Sequence, residues 1–124
     1  MGSVLSRVLL QKGHQVLGLD SLLHGGQALT ALYLDDNFTF VRGDIRSSEV
    51  VNRVVPQVDA VVHLAAIVGD PACKMYPDAA RQTNLGASIA LIDACRSNGV
   101  NRFIFASTCS NYGKMESSDD FVTE

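Results

Sequence analysis

The stretch Ala60-Val61-Val62-His63-Leu64-Ala65-Ala66 decides the fold. A strand with one wet face alternates apolar and polar residues, whereas residues 60–64 run almost without a break. That is the pattern of a parallel strand covered on both faces. The run then ends in small side chains, which let a flat ligand approach the backbone closely. Outward from it, strands are expected at 14–19, 38–41 and 101–106. Helices are expected at 3–11, from Ser47 or Ser48 to Val54, and at 77–97, with a short one at 27–34. Val4, Leu5, Val8 and Leu9 share one face of the first helix, and Gly13 stops it. Pro56 ends the helix after Ser47, Pro77 suits a first turn, and Gly99 lies just past the last helix. Gly25-Gly26 reads as a turn, residues 71–76 as loop and 114–124 as polar, irregular chain.

Strands alternating with helices imply right-handed crossovers and a doubly wound parallel α/β sheet, here one domain over residues 1–124. The chain opens on a helix with no strand ahead of it, so the sheet is expected to be incomplete.

Bulk properties exclude several classes. With 124 residues, 47% hydrophobic and 19% charged, the chain is expected to be globular and soluble rather than disordered. A net charge of −3, few aromatics and no Trp argue against a nucleic-acid surface. No apolar run approaches the roughly 20 residues that span a bilayer. In residues 1–7 the charge sits inside an amphipathic pattern, unlike a signal peptide. Cys73, Cys95 and Cys109 are odd in number and widely spaced, which points to a reducing, cytoplasmic compartment. Cys95 reads as a small core residue. His63 reads as a satisfied core histidine, and no second ligand at metal spacing accompanies it, so no metal is expected.

Several residues fall at strand ends, where ligands bind in open parallel sheets. Gly2 opens the first helix, and Asp20 follows eighteen residues later at a strand tip. That carboxylate either accepts hydrogen bonds from an adenosine ribose or organises a turn with Ser21. Asp44, with Ile45, either meets an adenine or starts a turn. Asn84 is a mediocre helix former inside a helix; it either makes a specific hydrogen bond toward the sheet or faces solvent. The strand Phe103-Ile104-Phe105 runs into Ser107, Thr108 and Ser110. Thr108 is the leading candidate for chemistry, since such a hydroxyl can donate to an oxygen as charge develops on it. It needs a partner base. Tyr112 and Lys114 are badly spaced for that task and read as structural.

Taken together, Gly2-Ser3, Gly18-Leu19-Asp20, Gly43-Asp44-Ile45-Arg46, His63-Leu64-Ala65-Ala66, Asn84 and residues 105–113 resemble the extended short-chain dehydrogenase/reductase family. Within it, the resemblance is to the NAD-dependent epimerase/dehydratase branch acting on nucleotide-sugars. It implies a Rossmann-like fold, NAD as cofactor, Gly2 as the last glycine of the phosphate loop, Asp20 on the ribose and Asp44-Ile45 on adenine. Leu64, Ala65 and Ala66 would line the pyrophosphate and nicotinamide-ribose cleft, with Asn84 buttressing it. Thr108 would be the catalytic hydroxyl, with Ser107 toward the nicotinamide and Ser110 toward the sugar. The resemblance also implies a homodimer formed through helices, one of them over residues 77–97. The family's first strand, its first two glycines and its Tyr-x-x-x-Lys pair are not in the sequence, so the chain reads as an amino-terminal fragment. By itself it is expected to be inactive and to bind NAD weakly or not at all. The alternative is a regulatory module that binds a dinucleotide without chemistry.

Overall fold

The computed structural model describes residues 1–107. The order of elements is α1 (Gly2–Gln11), β1 (Val16–Asp20), two 3-10 turns (Gln27–Leu29 and Leu32–Leu34), β2 (Phe38–Arg42), α2 (Ser48–Val54), β3 (Ala60–His63), α3 (Asp70–Met75), α4 (Pro77–Arg81), α5 (Ala87–Ser97) and β4 (Arg102–Phe105). A further 3-10 turn, Val55–Gln57, carries Pro56, and a π-turn, Gln82–Gly86, joins α4 to α5. Four strands and the long helix fall where the sequence places them, within two residues at each end.

The strands form two separate parallel pairs. β1 pairs with β2 from Val16↔Phe38 to Asp20↔Arg42, and β3 pairs with β4 from Ala60↔Arg102 to His63↔Phe105. Among the described residues, β1 and β3 are each paired on one side only. One core nevertheless joins the pairs. Val51, Val54, Val55, Leu91, Cys95 and Val100 are buried together, and Leu17, Leu19, Val41, Val61 and Phe103 from all four strands pack against them. α2 and α5 thus cover one face of both pairs. Removing that apolar surface from water, at about 25 cal/mol per Å², is what holds the pairs to one another.

Local chemistry explains the element ends. Ser47 caps α2, its hydroxyl accepting from Val50 N at 3.4 Å. Gly99 follows α5 at φ +73°, a left-handed position that costs glycine no Cβ clash. At Gly43, a Cβ would lie 2.7 Å from Val50 Cγ1, so the step from β2 toward α2 leaves no room for a side chain.

Three expectations change. Residues 71–75 are helical rather than loop: α3 starts after Gly69 (φ +89°) with Pro71 in its first turn, where proline's missing N–H costs nothing. The apolar face of α1 is not uniformly covered: Val4 and Val8 are exposed, while Leu5 and Leu9 are half-buried. Among the described residues, the strand 60–64 is covered on one face only. Val61 faces the core while Val62 and its neighbour Ile104 are exposed.

Candidate functional site

The carboxyl ends of β1 and β2 lie side by side. Asp20 is the exposed last residue of β1, and its carbonyl accepts from Gly43 N at 3.0 Å. Its carboxylate Oδ1 accepts from Leu22 N at 2.7 Å, which turns the chain sharply and leaves Leu22 at φ 59°. The turn-forming role of Asp20 is therefore present. The geometry also keeps the carboxylate at the strand tip, with no other hydrogen bond to it among the described residues.

Asp44 makes its own turn. It accepts from Arg46 N at 2.8 Å, and its two oxygens meet the Arg46 guanidinium, with Nη2 2.6 Å from Oδ2. The guanidinium hydrogen bond beside it holds the Asp44 carboxyl below the usual carboxylate value. Both groups are partly exposed, so water screens the pair and it contributes at most about 1 kcal/mol. Ile45 is buried.

At the end of β3 the chain is held by side chains. Leu64 is half-buried, while Ala65 and Ala66 are exposed. Just beyond them, one amide satisfies both main-chain groups of Ile67. Asn84 Oδ1 accepts from Ile67 N, and Asn84 Nδ2 donates to Ile67 O, each at 2.8 Å. The specific hydrogen bond is thus the reading of Asn84 that the structure bears out. Cys73 Sγ also donates to Ile67 O, at 3.5 Å.

Asn84 is itself held from behind. It sits in the π-turn, where the helical ladder widens, and Ser88 Oγ donates to its carbonyl at 2.8 Å. Ser88 Oγ lies 2.8 Å from His63 Nε2. A hydroxyl has one proton, and Ser88 uses it on a carbonyl that can only accept. The His63 nitrogen facing it therefore carries hydrogen and donates. Burial pushes the His63 imidazole below its ordinary value, in keeping with the neutral ring expected of a satisfied core histidine.

Sequence reasoning missed Ser88 and Ile67. The spacing of Ser88, four residues after Asn84 on one helix, is the signal that could have found it. Gly2 begins α1 as expected, but a Cβ there would meet nothing within 4 Å among the described residues, so none of them packs tightly enough to demand glycine. Ser107 is exposed just past β4. Thr108 and Ser110, with Cys109, Tyr112 and Lys114, lie outside the described residues. Among the described residues no set of three His, Cys, Asp or Glu side chains could hold a metal, and no helix is long and apolar enough to cross a membrane.

The structure resembles solved nucleotide-sugar enzymes. A dTDP-glucose 4,6-dehydratase from Streptomyces venezuelae, solved with NAD bound, superposes with a TM-score of 0.85 at 31% identity over 94% of this chain and 38% of that one. A UDP-glucose-4-epimerase from Stenotrophomonas maltophila, also with NAD, gives 0.82 at 27% identity over 96% of this chain and 37% of that one. By sequence the chain is 34% identical to the UDP-glucose 4-epimerase of Streptomyces lividans, over 94% of its own length and 35% of that enzyme's. It therefore spans a little over a third of the length of these three relatives. Both neighbours confirm the Rossmann-like parallel α/β fold. All of residues 1–124 match the NAD dependent epimerase/dehydratase family, and the chain belongs to that family.

Proposed function

We propose that residues 1–124 are the dinucleotide-binding part of an NAD-dependent enzyme that oxidises a hydroxyl of a nucleotide-sugar and then completes an epimerisation or dehydration. The observation that carries this reading is the pinned segment after β3. Asn84 fixes both main-chain groups of Ile67 and leaves Ala65 and Ala66 exposed beside it. Small, exposed residues on a fixed backbone suit the close approach of a dinucleotide.

The residues present fit that cofactor. Asp20 offers a carboxylate at the tip of β1 for the two adenosine-ribose hydroxyls, and its charge repels a 2′-phosphate, favouring NAD over NADP. Asp44 and Ile45 stand at the next strand end for the adenine. Leu64, Ala65 and Ala66 line the pyrophosphate and nicotinamide-ribose side, with Gly2 at the start of α1 and Ser107 past β4. Bound NAD supplies the hydride acceptor. Thr108 donates a hydrogen bond to the sugar oxygen as its proton leaves for a tyrosine supplied elsewhere in the protein, and Ser110 contacts the sugar. The 124-residue chain alone, with β1 and β3 each paired on one side among the described residues, is expected to bind NAD weakly and to turn over nothing.

A homodimer is part of the proposal. Leu85, Ile89 and Ile92 leave an exposed apolar stripe along the helix that spans residues 77–97, a surface suited to a second copy. Cys73 and Cys95, free among the described residues, favour a cytoplasmic setting. The test is product analysis: the intact protein, given NAD with UDP-glucose or dTDP-glucose, is expected to yield a 4-epimer or a 4-keto-6-deoxy sugar. Recovery of unchanged sugars from a protein that binds NAD would favour the non-catalytic regulatory module.

A further inference from the structure

His63 and Ser88 are the two buried polar side chains among the described residues, and they bond to each other across 25 positions of sequence. Such a pair in a small core has a cost, since each polar group leaves water and must find its partner inside. Two valines or a Leu–Ala pair would pack there without that demand. What the pair adds is a continuous line of hydrogen bonds that ends outside the core. His63 Nε2 donates to Ser88 Oγ, Ser88 Oγ donates to Asn84 O, and the Asn84 amide closes on Ile67 N and O.

The fold gives this line its reach. His63 is the last residue of β3, its carbonyl accepts from Ala106 N at 3.2 Å, and its ring lies against Phe103 and Phe105 of β4. The ring position is thus set by two paired strands. Ser88 and Asn84 stand on either side of the junction between the π-turn and α5. A widened turn loosens the main-chain ladder, and π-turns of this kind concentrate at functional sites. Ser88 holds the Asn84 carbonyl at that loosened point, which aims the Asn84 side chain at Ile67.

We propose that His63 and Ser88 are positioning residues, which fix the path of residues 64–69 through Asn84 without touching a ligand themselves. Resting on the NAD reading above, this path sets where Ala65 and Ala66 meet the dinucleotide. A site is only as well defined as the groups behind it, and these two residues stand behind the Asn84 clamp.

The test compares four variants of the intact protein by hydrogen–deuterium exchange, read on peptides covering residues 64–69 and on peptides from α2. Ser88→Ala and His63→Leu break the line, while Ser88→Thr and His63→Gln keep a hydroxyl and an N–H donor in place. Exchange over 64–69 is expected to quicken about tenfold in the first two and to stay near the unsubstituted rate in the second two, with α2 unchanged in all four. NAD affinity should fall about tenfold in the breaking variants and recover in the conservative ones. Unchanged exchange over 64–69, or equal acceleration in α2, would overturn the proposal. Failure of the unsubstituted protein to bind NAD would instead reject the cofactor reading and leave the exchange result to judge the positioning role.

Discussion

Asn84 and Ile67 form a closed pair: one side-chain amide gives its oxygen to the Ile67 N–H and its N–H to the Ile67 carbonyl, both at 2.8 Å. An isolated loop would leave those main-chain groups to water. Here a helix residue takes the place of a neighbouring strand and continues the order of β3 past its last ladder bond.

Removing the Asn84 amide should therefore loosen a defined segment. Asn84→Ala is expected to destabilise the protein by about 1–3 kcal/mol, since Ile67 N loses its partner and Ile67 O keeps only the long Cys73 Sγ contact. Urea denaturation measures the loss. Asn84→Asp should recover little of it, because a carboxylate accepts from Ile67 N but has no hydrogen for Ile67 O.

Half of this pair was legible in the sequence. Asn84 is a mediocre helix former inside a helix, and a hydrogen bond toward the sheet is one of the two roles open to it. Its partner was not legible, because an amide can close on any nearby main-chain group and Ile67 lies in a segment without periodicity. The π-turn was equally hidden, since turn widening depends on what the helix packs against rather than on propensity. His63 read correctly as a core histidine, but Ser88 lies 25 residues away and only folding brings it near. The parallel strands were legible from runs such as residues 60–64, whereas the exposure of Val62 and Ile104 depends on what covers the sheet. α3 was missed because Pro71 reads as loop until Gly69 is seen to start a helix ahead of it.

Acid should destabilise the fold in a window set by His63. Burial holds the folded imidazole below its ordinary value of 6.5, so the unfolded chain takes up this proton first. As pH falls below about 6.5 the unfolded state binds more protons, and stability declines until the native ring also protonates. Above that range His63 contributes no slope. Asp44 acts separately: its lowered carboxyl contributes stability that is lost only at more acidic pH, as the folded group protonates. Denaturation curves from neutral to mildly acidic pH should show the His63 slope, and His63→Gln should flatten it.

The exposed stripe on α5 and the turn before it predicts a self-association surface. Ile89 is 52% exposed between Leu85 and Ile92. Ile89→Glu would place a charge in a buried contact of a dimer and is expected to yield monomers in analytical ultracentrifugation. A dimer that survives this change must use another surface.

The hydroxyl cluster after β4 carries the catalytic prediction. Thr108→Ala in the intact protein should lower sugar turnover by about a hundredfold, as expected when a donor to a developing oxyanion is removed. NAD affinity should hardly change. Equal turnover would remove Thr108 from the chemistry, and an equal loss of NAD binding would place it at the cofactor instead.

The most direct measurement is a calorimetric titration of the intact protein with NAD and with NADP, repeated on Asp20→Ala. Saturable NAD binding and much weaker NADP binding are expected. Asp20→Ala should lose about tenfold or more in NAD affinity, as the ribose hydroxyls lose their carboxylate. No heat with either dinucleotide, or NAD binding indifferent to Asp20, would contradict the placing of NAD at this strand end.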